Sequence, residues 1–334
     1  MMGSTWTRRR FVASSVGAVA GAGLGLQRTN ALAQAADNTT IQLGYQPDLL
    51  GSIAMVALKE NIFESVGSKV EARRMVTGRQ IRDAMIAGHI DLGNYGGPTF
   101  VIGAAKGDLI AVAVFAHAGR SYHIVVPKDA PTKTVADLKG KKVGGILGGS
   151  VYPIFKNRIA PKFGLTDKDY EAINIDGPDQ ISALATKQVD AIAAVEPFVS
   201  IGEDQGIARS IADFSPYDLS PIILCARPEF ADAHPEALVT FLKGWIKAAD
   251  ILKNEPARAA KIVEQVYRDQ GYTLGEGVIA KALGRFDIRV NFSPELREYL
   301  EVTAQDQIRA ASITKAPDWS KVLRTEFLEK ALAG

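Results

Sequence analysis

Apolar and polar positions along the chain follow two periods, and the two periods take turns. Residues 41–45 (Ile-Gln-Leu-Gly-Tyr) alternate in the manner of a strand, and residues 53–63 carry apolar side chains at helical spacing. Residues 69–76 predict a second strand, 79–87 an amphipathic helix stopped by Gly88, and 90–93 a very short third strand. Asn94-Tyr95-Gly96-Gly97-Pro98 leads into a helix through Ala105 and a strand at 109–116. The rhythm restarts with a strand at 142–147, a helix at 151–163, a strand at 172–175, a helix at 181–187 and a strand at 189–195. Strand and helix in regular succession predict an α/β fold of mainly parallel sheets flanked by helices. Two series of similar size predict two lobes of related topology.

Two β-branched runs, Tyr122-His123-Ile124-Val125-Val126-Pro127 and residues 221–226, predict strands that cross between the lobes. From Pro228 onward the pattern is mostly helical, with Pro235 and Pro294 at helix starts, where a missing N–H costs nothing. These helices are expected to return to the first lobe. The expected lobes are therefore 36–124 with 225–334, and 125–224 between them.

The N-terminus changes the picture of charge and destination. Arg8-Arg9-Arg10-Phe11-Val12 precedes an apolar stretch that ends at Leu26 and is diluted by Gly17, Gly21, Gly23 and Gly25. Ala31-Leu32-Ala33-Gln34-Ala35 follows with small-residue cleavage sites. This three-part pattern over residues 1–35 resembles a twin-arginine export signal, which implies a chain that folds before it is moved to the periplasm. Of the 39 Lys and Arg residues, four (Arg8, Arg9, Arg10, Arg28) lie in that segment and no acid does, leaving 35 against 37 acidic residues and a net charge of −2. A near-neutral chain of this kind is a poor partner for nucleic acid or an anionic membrane surface. The single cysteine, Cys225, excludes an intramolecular disulfide framework and a cysteine-rich metal site, and its apolar neighbours predict a buried packing role.

Four segments, in order, carry a family resemblance. Val135-Ala136-Asp137-Leu138-Lys139-Gly140-Lys141-Lys142-Val143-Gly144 resembles the element that opens the second lobe of type II periplasmic solute-binding proteins of ABC importers. Ala87-Gly88-His89-Ile90-Asp91-Leu92-Gly93 resembles that family's Gly-x-x-Asp turn before the first-lobe site. Lys187-Gln188-Val189-Asp190-Ala191 with Glu196-Pro197 resembles its second-lobe counterpart, with Gln188 read as standing where glycine is usual. Residues 235–243 resemble the start of the closing helical segment. The resemblance covers residue 41 to about 320 and is nearest to the nitrate, taurine and aliphatic sulfonate branch. It implies a periplasmic monomer that closes its two lobes over a small solute and docks on membrane permease subunits. Asp137, Asp91 and Asp190 are expected to serve the scaffold, not the ligand.

In open α/β sheets ligands meet the carboxyl ends of strands, so the strand-to-helix loops supply the candidate walls. Gly148-Gly149-Ser150 is the sharpest signal, because glycines permit close backbone approach and Ser150 offers a hydroxyl either to an anion or as a helix cap. The remaining candidates are Tyr45, Gln46, Thr77, Gly78, Arg79, Asn94, Tyr95, Gly96, His117, Val151, Tyr152 and Glu196, together with the loop Asp176-Gly177-Pro178. Arg79 could grip an acidic head group bidentately. Glu196 would repel an anion, so it either meets an N–H of the solute or caps the next helix.

Capture of an anion such as an alkyl sulfonate, taurine or nitrate is the expected function, with no cofactor and no metal. A second possibility keeps the importer role for a flat heteroaromatic solute, a pyrimidine or flavin precursor, held between Tyr45, Tyr95 and Tyr152. A third, a sulfinate-cleaving enzyme of the same fold, implies a nucleophilic cysteine in the first-lobe cleft, and Cys225 is predicted on a crossing strand instead. No Ser-His-Asp arrangement is visible around His89, His117, His123 or His234.

Overall fold

The computed structural model describes residues 39–334, and the expected export segment at 1–35 lies outside them. Strand β1 (Thr40–Tyr45) buries Ile41 and Leu43 completely, as its alternation predicts, and is followed by helices α1 (Ser52–Lys59) and α2 (Ile62–Ser65). Then come β2 (Lys69–Arg74), α3 (Gly78–Ile86), β3 (Leu92–Gly96), α4 (Gly97–Gly107) and β4 (Ile110–His117). The second series holds β5 (Tyr122–Pro127), β6 (Lys142–Gly145), α5 (Val151–Ile154), β7 (Glu171–Asn174), α6 (Gln180–Ala185), β8 (Ala191–Val195), α7 (Phe198–Asp204) and β9 (Ala208–Asp213). Helix α5 runs on without a break through Phe155–Ile159 and Ala160–Phe163.

These strands form two sheets, ordered β11-β4-β10-β3-β1-β2 and β7-β6-β8-β5-β9, where β10 is Pro221–Ala226 and β11 is Asp287–Ile288. In the first, β1 to β4 run in one direction and β10 is inserted antiparallel between β3 and β4. In the second, β6 to β9 share a direction and β5 is inserted antiparallel between β8 and β9. The mainly parallel, two-lobed α/β expectation therefore holds, with one reversed crossing strand inside each sheet. The lobe limits differ from those expected: β5 belongs wholly to the second sheet and β10 wholly to the first, so the chain changes lobes at 118–121 and 214–220. A strand pairs along its full length or leaves backbone groups unbonded, so limits drawn inside a strand cannot stand.

The C-terminal helices return as expected. Helices α8 (Pro228–Ala233), α9 (Pro235–Asn254) and α10 (Pro256–Asp269) lead to α11 (Val278–Leu283), α12 (Glu295–Arg309), α13 (Trp319–Val322) and α14 (Glu326–Ala333). Phe241 of α9 stacks on Phe63 of α2 at 4.8 Å, and Trp245 meets Phe115 of β4 edge-on at 5.5 Å. These buried rings bond the returning helix to the first lobe through one apolar core. No helix among the described residues is long and apolar enough to cross a membrane.

The family-like segments do scaffold work in both lobes. Asp91 Oδ2 accepts Gln42 N at 2.9 Å beside β1, and Asp190 Oδ2 accepts Lys142 N at 2.8 Å beside β6. Each carboxylate thus pins an inner strand of its lobe's sheet. Asp137 accepts the N–H groups of Lys133 and Thr134 and closes a capping box, and Gly140 turns the chain with φ +73°. The expectation about Gln188 needs correction. Gly88 has φ +80°, and its counterpart three residues before Asp190 is Lys187, at φ +58°. Lys187, not Gln188, occupies the left-handed turn that glycine fills in the first lobe, a conformation that costs a side-chain-bearing residue about 1–2 kcal/mol.

Candidate functional site

A tight cavity of about 30 Å³ lies between the lobes. Its walls follow the carboxyl ends of β1, β2 and β3 on one side and of β6, β7 and β8 on the other. Eight expected residues meet there: Gln46, Thr77, Gly78, Gly96, Gly149, Ser150, Val151 and, from the loop after β7, Gly177. Thr77 caps α3 by accepting Gln80 N at 3.2 Å, and Gly78 opens that helix where a β-carbon would stand 2.7 Å from Tyr95 Cβ. Gly96 caps α4 from an extended conformation. The first-turn N–H groups of these two helices converge on the cleft, and with them the partial positive ends of both dipoles.

Ser150 departs from the simple capping alternative. Its hydroxyl makes no cap bond and instead reaches across the cleft to Thr99 Oγ1 of α4 at 3.0 Å. Further contacts join the lobes around it. Leu49 N donates to Glu196 O at 3.1 Å, and Ser121 Oγ donates to Arg285 O at 2.8 Å. Arg158, on the helix continuing α5, pairs with Asp306 at 3.1 Å and Thr303 at 2.7 Å on α12, pairs with Asp218 in the returning connection, and lies over the Tyr299 ring at 4.7 Å. The conformation is closed.

The remaining expected side chains, among them seven singled out one by one, do not line the cavity. Tyr95 is fully buried in the first-lobe core with its hydroxyl 3.6 Å from Met85 Sδ, and Tyr152 packs against Phe155 and, through that ring, Tyr170. Tyr45 packs half-buried at the end of β1, so the three tyrosines do not converge on a flat ring. Their side chains sit on the faces that strand and helix periodicity turns toward the core. Asn94 is spent on structure, donating from Nδ2 to Leu50 O at 2.6 Å. His117 ends β4 opposite Pro221 and Asp287, and burial lowers its pKa. Arg79 is mostly exposed, 3.7 Å from Asp83, and rests over Gly148 outside the cavity. Glu196 resolves to the capping alternative: it accepts Ser200 N at 3.0 Å and Ser200 Oγ at 2.9 Å at the start of α7, and Arg285 neutralises it at 2.5 Å.

The sequence reading missed Asp48, Thr99, Tyr122 and Gln180, which line the same cavity. Asp48 sits in the loop after β1, next to the residues that were singled out, and its Oδ1 accepts Leu50 N at 2.9 Å. Burial pushes its carboxyl up to about 7. Gln180 lies just beyond the Asp176-Gly177-Pro178 loop and is 2% exposed. Tyr122 is fully buried, and its hydroxyl has no hydrogen-bond partner among the described residues. Reading residues 122–127 as a connector hid the fact that its first side chain enters the cleft. Asp48 is the one formally charged side chain among the lining residues, and no Lys, Arg or His accompanies it. Cys225 is buried in β10 opposite Gly93, away from the cleft, and burial raises its thiol pKa.

Residues 52–259 match the family described as NMT1/THI5 like. The chain is 33% identical over 212 residues to a putative aliphatic sulfonates-binding protein of Escherichia coli (strain K12), covering 62% of this chain and 65% of that one. It is 26% identical over 275 residues to a protein of the same description from Bacillus subtilis (strain 168), covering 82% and 81%. Its fold is shared with the alkanesulfonate-binding protein SsuA from Xanthomonas axonopodis pv. citri bound to MOPS, with a TM-score of 0.77 at 23% identity over 86% of this chain and 98% of that one. With the family match spanning more than half of its length, the chain belongs to the NMT1/THI5-like family.

Proposed function

We propose that this chain is the solute-binding component of an ABC importer. It captures a small solute with an acidic head group, of the alkyl sulfonate, taurine or nitrate kind, and hands it to membrane permease subunits. It works as a monomer in the periplasm after twin-arginine export, with lobe one formed by residues up to about 120 and from about 221. One observation carries this reading: a cavity between two lobes, at the carboxyl ends of both sheets, into which the helix starts of α3 and α4 and the partnerless Tyr122 hydroxyl all face. Backbone N–H groups, the Tyr122 hydroxyl and the one hydroxyl proton that the Thr99–Ser150 pair leaves free supply donors for acidic oxygens, the task first given to Arg79.

The site reads as a binder and not as an enzyme. The Ser150 hydroxyl is bonded to Thr99, no histidine lines the cavity to act as its base, and the sole cysteine is buried elsewhere. Thermal denaturation with alkyl sulfonates, taurine and nitrate tests the proposal. A true ligand at 100 times its Kd adds about 2.7 kcal/mol of stability, and a melting curve unmoved by every member of that panel overturns it.

A further inference from the structure

The polar groups of the cleft are not all donors: beside the unpartnered Tyr122 hydroxyl, acceptors are left over as well. Asp48 is 5% exposed, its Oδ1 receives one backbone N–H, and no cationic side chain lines the cavity with it. Gln180 donates from Nε2 to Ile175 O at 3.3 Å, which fixes the amide orientation and leaves Oε1 buried with no partner among the described residues. Gln46 repeats the arrangement, donating from Nε2 to Asn94 O at 3.3 Å so that its Oε1 faces the start of α3, 3.2 Å from where a Gly78 β-carbon would sit. Asp48 acts electrostatically on the buried Tyr122 and Tyr267 hydroxyls, and Glu196, whose backbone carbonyl accepts Leu49 N beside it, is already paired with Arg285. A buried carboxylate without a counter-charge is unfavourable, and so is an amide oxygen without a donor. A solute that brings a positively charged N–H group removes both costs at once, whereas a plain anion adds a like charge beside Asp48.

We propose that Asp48 is the specificity-determining residue of the cleft, and that with Gln180 Oε1 it selects solutes carrying an ammonium group opposite their acidic head, amino-sulfonates over plain alkyl sulfonates. The inference rests on the cleft being the solute site. The acidic head meets the helix starts and hydroxyls, and the ammonium meets the acceptors.

Isothermal titration of the full mature chain with two matched pairs tests it: 2-aminoethanesulfonate against ethanesulfonate, and 3-aminopropanesulfonate against propanesulfonate. The wild type is expected to bind at least one amino member tenfold or more tighter than its plain partner. Asp48→Asn, with its fold checked by a cooperative thermal melting curve, is expected to bring that ratio close to one. Equal or tighter binding of both plain sulfonates by the wild type, or an unchanged ratio in Asp48→Asn, overturns the inference while the solute-binding reading stands. If Asp48→Asn does not fold, the wild-type ratio alone decides. Failure of every sulfonate and of nitrate to bind overturns the solute-binding reading, and the inference with it.

Discussion

Two buried ionisable residues pull stability in opposite directions as pH changes. Asp48, ordinarily near 3.8, is pushed up to about 7 by burial, so the folded chain holds a proton that the unfolded chain has already released between those values. Its contribution to stability therefore falls as pH rises through that window. His123, ordinarily near 6.5, is held down to about 4, first by burial and then by Arg285, with its Nδ1 2.9 Å from Ser210 Oγ. The unfolded chain binds that proton first, so stability is lost as pH falls from 6.5 through 4. The two slopes oppose each other between about pH 4 and 6.5. Asp48→Asn removes one of them. Urea denaturation at pH 4.5, 6.5 and 8 should find the variant more stable than the wild type at pH 8, by up to about 4 kcal/mol, and steeper in its rise from pH 4.5 to 6.5. A variant less stable at pH 8 would show that the carboxylate has a cationic partner in the fold.

At the scale of the element, two hydroxyl residues at similar places in the two lobes do different work. Thr77 receives Gln80 N and satisfies an otherwise unpaired donor of α3, whereas Ser150 at the start of α5 receives no backbone N–H. Thr77→Ala should lower stability by about 1 kcal/mol, the ordinary loss for a removed cap. Ser150→Ala should stay within about 0.5 kcal/mol of the wild type, since the hydroxyl it loses bonds to the other lobe and not to its own helix. Denaturant midpoints at unchanged m-values distinguish the two, and a larger loss for Ser150→Ala than for Thr77→Ala contradicts this division. Sequence showed both residues as loop-to-helix hydroxyls and could separate neither role, because the capping bond depends on the dihedral angles of the residue before the helix.

For the molecule as a whole, Gly96 marks a close approach of the two lobes. A β-carbon there would stand 2.6 Å from Ser150 Oγ, 2.7 Å from Ser150 Cβ and 3.3 Å from Tyr122 Oη, all of them across the cleft in lobe two. No atom of its own lobe is among these three nearest, so Gly96→Ala should spare the folding of lobe one and wedge the lobes apart. The closed state then loses population, and ligand affinity falls by at least about tenfold, equivalent to about 1.4 kcal/mol. Small-angle scattering with saturating ligand should find a larger radius of gyration than for the wild type, and an unchanged radius together with unchanged affinity refutes the wedge. Arg158 bonds the lobes on one side of the cleft and Arg285 on another, so closure is held by ion pairs whose partners come from distant parts of the chain.

Much of this protein was legible before its structure. Hydrophobic period located most strands and helices of both lobes, though not α7, β9 or β11, and turn chemistry marked Asp91, Asp137 and Asp190 as scaffold, because these features depend on neighbours a few residues away. The loops that build the cleft were identified for the same reason: they follow predicted strands. Which side chains of those loops face the cavity was decided elsewhere. Tyr95 and Tyr152 turned into the core while Tyr122 turned into the cleft, and adjacent strand positions point to opposite faces, so a register of one residue settles the matter. The insertion of β5 and β10 antiparallel into sheets made of other segments, the pairing of Arg158 with Asp306 across 148 residues, and the lack of a cationic side chain beside Asp48 among the described residues lining the cavity all arise from contacts distant in sequence. Local pattern determined the elements and the loops. Only the tertiary structure decided which atoms meet across the cleft, because that depends on how two separately formed lobes come together.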